Sequence, residues 1–150
     1  MTTTTESEFE IHESWFQRYG LYLAWLVALV ATCGSLYFSE IRGFIPCDLC
    51  WYQRIFMYPL VIVLGIAAYR GDRRIIGYVL PMSIIGMLIS IYHNFEIWFP
   101  KVGEMMPCRS GIPCNYDYLN WLGFITIPLM ALTAFILIII FLVLGREKNN

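Results

Sequence analysis

Five cysteines stand in this sequence, and four of them fall in two pairs outside its long apolar runs. Cys47 and Cys50 are spaced i, i+3 in Pro46-Cys47-Asp48-Leu49-Cys50, where a short connection turns into an apolar run. At that spacing two thiols can close a small, exchangeable disulfide. A cysteine at a helix N-terminus also feels the positive end of the macrodipole, which favours thiolate. Thiolate is the attacking and leaving form in disulfide exchange. The second pair is Cys108-Arg109-Ser110-Gly111-Ile112-Pro113-Cys114, whose Gly and Pro suit a turn that brings the sulfurs together. It is read as a redox pair facing a protein partner, or as a structural staple. Cys33 lies alone within an apolar run and is expected to be a buried, inert thiol.

Three polar residues accompany the first pair. Arg54 is i+4 from Cys50, so the two share a helix face. It sits about one turn inside the run, where a charge is costly and usually functional. A guanidinium there can stabilise a Cys50 thiolate or bond the carbonyl of a bound acceptor; the alternative is an Arg that snorkels to the headgroups. Gln53 is its neighbour. His93 directly follows the third apolar run and is expected at the same membrane surface, as a hydrogen-bond donor to an acceptor or as an ordinary interfacial histidine.

The elements that must hold these residues are membrane helices. Of the 150 residues 59% are hydrophobic, 17% aromatic and 14% charged, too apolar for a water-soluble domain of about 45–50% apolar and 25% charged residues. Runs at about 19–39, 51–69, 75–92 and 121–144 each have the roughly 18–24 residues that cross about 30 Å of hydrocarbon. They are too long for barrel strands of about 9–11 residues. The expected fold is an all-α membrane protein, a four-transmembrane-helix bundle. Pro59, Pro81 and Pro128 fall inside three runs, which a bundle tolerates. Gly65, Gly77, Gly86 and Gly123 would let helices approach closely.

Residues 1–18 read as a polar tail, disordered at Met1–Glu13, before an uncleaved first helix; residues 145–150 form a second tail. Arg18, Arg70, Arg73, Arg74, Arg146 and Lys148 collect on one side, against Arg42, Lys101 and Arg109 on the other. The positive-inside rule places both termini in the cytoplasm and loops 40–50 and 93–120 outside, where disulfides persist. The segment around Phe95, Ile97, Trp98 and Phe99 is expected to lie in the interface. A net charge of −1 gives no support for nucleic-acid binding.

Oxidising a dithiol releases two electrons. No G-x-G-x-x-G pattern suggests a dinucleotide. His12 and His93, on opposite sides, cannot form a bis-His haem site within the bundle. A two-electron carrier dissolved in the bilayer, a quinone, is left by elimination. Other readings stay open: a Cys₄ zinc site of Cys47, Cys50, Cys108 and Cys114, a scaffold whose disulfides only staple it, or a quinone reductase resembling vitamin K epoxide reductases.

Cys47-x-x-Cys50-x-x-Gln53-Arg54 resembles the C-x-x-C-x-x-[EQ]-R signature of the DsbB family of membrane thiol oxidases. Residues 45–59, Ser110-Gly-Ile-Pro-Cys114 and Asn120-Trp-Leu-Gly-Phe-Ile-Thr-Ile-Pro128 resemble its Gram-positive branch, BdbC. The likeness runs from about Leu21 to Leu144. It implies reoxidation of a thioredoxin-like disulfide donor of the DsbA/BdbD kind, with electrons passed to an exchangeable quinone of the menaquinone or ubiquinone class, in the plasma membrane. By position, Cys47 and Cys50 would be the quinone-coupled pair and Cys108 and Cys114 the partner-facing pair. Arg54 would bind quinone, with His93 and Gln53 beside it. The Cys108–Cys114 spacing is much closer than in the best-known Gram-negative members.

Overall fold

The computed structural model describes residues 3–99, 101 and 126–146. Four helices cover most of them: α1 (Thr3–Leu36), α2 (Asp48–Arg70), α3 (Ile76–Trp98) and α4 (Ile127–Leu144). Together with the turns adjoining α1 and α3, they supply four segments long and apolar enough to cross a membrane: Arg18–Ile41, Asp48–Arg70, Arg73–Trp98 and Ile127–Leu144. Mean hydropathy rises to 3.0 in the last, whose span carries no charged residue. The chain is therefore an all-α membrane protein of four spans. No strand occurs among the described residues.

Local chemistry sets the helix ends. α1 passes into a wide turn at Tyr37–Ile41, closed by Arg42 N–H donating to the Tyr37 carbonyl. Cys47 caps α2 by accepting from the Cys50 N–H, and α2 stops at Gly71, whose φ of 66° is left-handed and suits glycine. Asp72 accepts from Arg74 N–H and turns the chain into α3 through a single tight turn, Arg73–Ile75. Thr126 caps α4 by accepting from Leu129 N–H.

The helices form a ring in which α1 packs on α2 and α4, and α3 packs on the same two. Gly20, at the start of the first span, lies against Phe141 and Gly145 at the end of the fourth; a Cβ on Gly20 would come within 2.7 Å of the Phe141 carbonyl oxygen. α1 and α4 are thus antiparallel, and the start of the first span meets the end of the fourth at one end of the bundle. That end is closed by an apolar core: Ala24 and Ala28 of α1, Leu60 and Leu64 of α2, Val79 of α3, and Phe135, Ile138 and Leu142 of α4. A Cβ on Gly86 would strike the Phe135 ring, and one on Gly65 would meet Trp25, so these two glycines set close approaches. Nothing lies within 4 Å of Gly77, and Gly123 is outside the described residues.

Four sequence expectations are corrected. The polar stretch taken as a disordered tail is helical from Thr3, continuous with the first span; its acidic residues stand at a helix N-terminus, which the dipole favours, and a long span propagates helix cheaply. α3 does not stop at Tyr92 but runs to Trp98, so His93 lies within a helix and not after one. Pro128 interrupts no helix interior, because it stands in the first turn of α4, at the start of the fourth span, where its missing N–H breaks no bond. Cys33 is exposed and not buried; its face of α1 borders the cavity described next, and an apolar thiol costs little in contact with hydrocarbon.

Candidate functional site

The half of the bundle opposite the apolar core is hollow. A cavity of about 880 Å³ lies between the second half of α1, the first halves of α2 and α4, and the end of α3. Its walls are mostly apolar, among them Val27, Val30, Met57, Met130 and Leu137. Its polar side is concentrated at one place, where Cys47, Cys50, Gln53, Arg54 and His93 all reach the lining. The volume and the few convergent polar groups are those of a small-molecule site.

The site is built on the first turn and a half of α2. Cys47 is the cap residue, 6% exposed, and its Sγ lies 2.9 Å from Cys50 Sγ in an unbridged pair. Cys50 N–H donates to Cys47 Sγ at 3.4 Å. His93 Nε2 lies 3.6 Å from the same sulfur. The hydrogen bond from Cys50, and then the hydrogen bond and charge of His93, lower the Cys47 thiol to about 4 against the opposing effect of burial. The residue favoured as thiolate is therefore Cys47, through Cys50 and His93, while the sequence reading looked to Cys50.

His93 is 1% exposed and reaches Cys47 from α3. Its Nδ1 is 3.2 Å from Gln53 Nε2. Nε2–H can donate to Cys47 Sγ, with Gln53 holding the other side of the ring: its amide donates to Nδ1 of the neutral imidazole, or its oxygen accepts from Nδ1–H of the charged one. Gln53, 5% exposed, thus acts on the sulfur through the imidazole. This chain, Gln53 to His93 to Cys47 to Cys50, joins residues 40 and 46 positions apart in sequence.

Arg54 is half-buried on the cavity wall. Its Nη2 donates to the Ser35 carbonyl of α1 at 3.4 Å, and its guanidinium carbon lies 5.6 Å from the centre of the Trp51 ring. Tyr58 O–H donates to Ser35 Oγ at 3.4 Å beside it. The guanidinium has five donors, and a carbonyl contact of this length leaves most of them for a bound molecule. Cys108 and Cys114 lie outside the described residues. The sequence reading passed over Asn94 and Glu96, which are buried next to His93 on α3; a polar residue at i+1 and i+3 of a buried histidine was the available signal.

The family model described as Disulfide bond formation protein DsbB matches residues 17–145. Disulfide bond formation protein C of Bacillus subtilis is 64% identical over 130 residues, covering 87% of this chain and 94% of that protein. Probable disulfide formation protein C 2 of Bacillus cereus is 43% identical over 136 residues, 91% of this chain and 97% of that protein. A probable disulfide formation protein of Coxiella burnetii is 45% identical over 130 residues, 86% of this chain and 88% of that protein. No solved structure matches. With a family match across all four spans and relatives this similar over nearly their whole length, the chain belongs to the DsbB family, the disulfide-forming oxidoreductases of the plasma membrane.

Proposed function

We propose that this protein reoxidises a thioredoxin-like disulfide donor on the outer face of the plasma membrane and passes the electrons to a quinone dissolved in the bilayer. The observation that carries this reading is the placement of an unbridged Cys47–Cys50 pair in the lining of an apolar cavity of about 880 Å³, with Arg54 on its wall. A quinone fits that setting: the apolar walls suit an isoprenoid tail, and the guanidinium suits a ring carbonyl. When bound, it supplies a two-electron, two-proton acceptor.

The protein's own residues then have distinct tasks. A thiolate of the reduced partner attacks the Cys108–Cys114 disulfide, and the partner leaves oxidised. The resulting dithiol reduces the Cys47–Cys50 disulfide. The regenerated Cys47–Cys50 dithiol gives up two electrons and two protons and closes again. His93, held by Gln53, orients toward Cys47 and stabilises its thiolate; Arg54 holds the acceptor. For a two-electron couple each 30 mV of potential drop is about 1.4 kcal/mol, so an oxidising quinone pulls every exchange forward.

The test is quinone reduction by the purified chain in detergent, supplied with a reduced thioredoxin-like protein. Turnover by the natural sequence that is lost in Cys47→Ser and in Cys108→Ser is the expected result. Turnover that survives Cys108→Ser would return the second pair to a structural role. No turnover with any donor or quinone would overturn the reading.

A further inference from the structure

Cys47 Sγ, Cys50 Sγ and His93 Nε2 lie within 4.8 Å of one another at one end of the cavity. Two sulfurs and one imidazole nitrogen are the donor set of an open, four-coordinate zinc site. Zn–S bonds of about 2.3 Å and Zn–N bonds of about 2.0–2.1 Å at tetrahedral angles place N and S about 3.5 Å apart and the two sulfurs about 3.8 Å apart. The observed 3.6 Å between His93 Nε2 and Cys47 Sγ already meets the first requirement. The sulfurs, at 2.9 Å, must open by about 0.9 Å, a movement that a side-chain torsion of half-buried Cys50 supplies.

The surroundings favour a ligand role for His93. A metal-bound histidine normally donates its other ring N–H to a fixed acceptor. Gln53 stands at Nδ1, 3.2 Å away. Turning its amide over presents Oε1 in place of Nε2, so that Nδ1–H donates and Nε2 becomes an acceptor. Two thiolates and a divalent cation also sum to zero charge, the least costly state at the edge of a low-dielectric bundle.

We propose that the reduced form of this protein binds one Zn²⁺ through Cys47, Cys50 and His93, with the fourth position open to the cavity. Binding releases the thiol proton of Cys50, Cys47 being already a thiolate, moves the His93 proton from Nε2 to Nδ1 and changes no oxidation state. It is exclusive with disulfide formation, because each sulfur's lone pair is committed either to the metal or to the S–S bond. Zinc therefore arrests the pair in its reduced form. Cys108 and Cys114 are not needed, which separates this site from the four-cysteine arrangement considered from sequence.

The experiment uses the full chain in detergent with Cys33→Ser, Cys108→Ser and Cys114→Ser, fully reduced by a phosphine. Co²⁺ is added as a spectroscopic probe and then displaced by Zn²⁺. One equivalent of metal, with visible bands of tetrahedral thiolate coordination, is expected. Gln53→Ala should weaken binding by about tenfold, and His93→Ala by more. The same chain with Cys47–Cys50 oxidised should bind none, a comparison that needs no further substitution and is immune to misfolding of a variant. No tetrahedral signal in the reduced chain, equal binding in reduced and oxidised chains, or His93→Ala binding as tightly as its parent would each overturn the site. Quinone reduction by the natural sequence is scored separately, so loss of the zinc site and loss of the oxidase reading are distinguishable.

Discussion

A single guanidinium separates two ways of using the cavity. Among the described residues Arg54 bonds a helix carbonyl at 3.4 Å and leans on Trp51, and it lines the cavity with donors to spare. Arg54→Ala should raise KM for quinone by about tenfold or more, the worth of one charge-assisted hydrogen bond. Disulfide exchange with the partner should be unchanged. Steady-state titration of each substrate in turn checks both halves, and an unaltered quinone KM would remove Arg54 from the acceptor site. Arg54 was legible because its relation to Cys50 is local, one helical turn. The link from His93 to Cys47 and Gln53 was not, because it spans two helices and depends on how α3 is rotated against α2. Sequence spacing fixes which residues share a face of one helix; it says nothing of which face meets a neighbour.

At the scale of elements, the bundle relies on close approaches more than on apolar surface, since lipid is as apolar as the helix flanks. Gly86 against Phe135 is the tightest of these. Gly86→Val should destabilise the bundle by about 1–3 kcal/mol, the usual cost of overpacking. Gly77→Ala, with nothing within 4 Å, should be nearly silent. Thermal unfolding in detergent compares the two, and equal midpoints would mean that α3 and α4 do not meet as described. The four spans themselves were plain in the sequence, because hydrocarbon thickness dictates run length. Their ends were less so. His93, Asn94 and Glu96 look like loop residues by polarity, yet they are buried on the last turns of α3. The contact of Gly20 with Gly145 joins the two ends of the membrane domain and leaves no local trace.

For the molecule as a whole, that same contact puts the start of the first span and the end of the fourth together, with Arg73, Arg74 and Arg146 lining a shallow pocket nearby. We assign this basic end to the cytoplasm by the positive-inside rule. In a chain freed of its native cysteines, Glu40→Cys should react with a membrane-impermeant thiol reagent in intact cells, and Asp72→Cys only after the membrane is opened. The reverse pattern would invert the topology. The division of the bundle into a hollow half and a packed half then has an energetic meaning. If the protein works as proposed, thiol protons are released, and acceptor protons taken up, at the same end, and no electron enters the packed half. Moving one charge across a bilayer is worth about 2.3 kcal/mol per 100 mV; a catalyst that finishes its chemistry on one side exchanges none of that energy. On the proposed reading its turnover would be electrically silent, indifferent to the membrane potential that surrounds it.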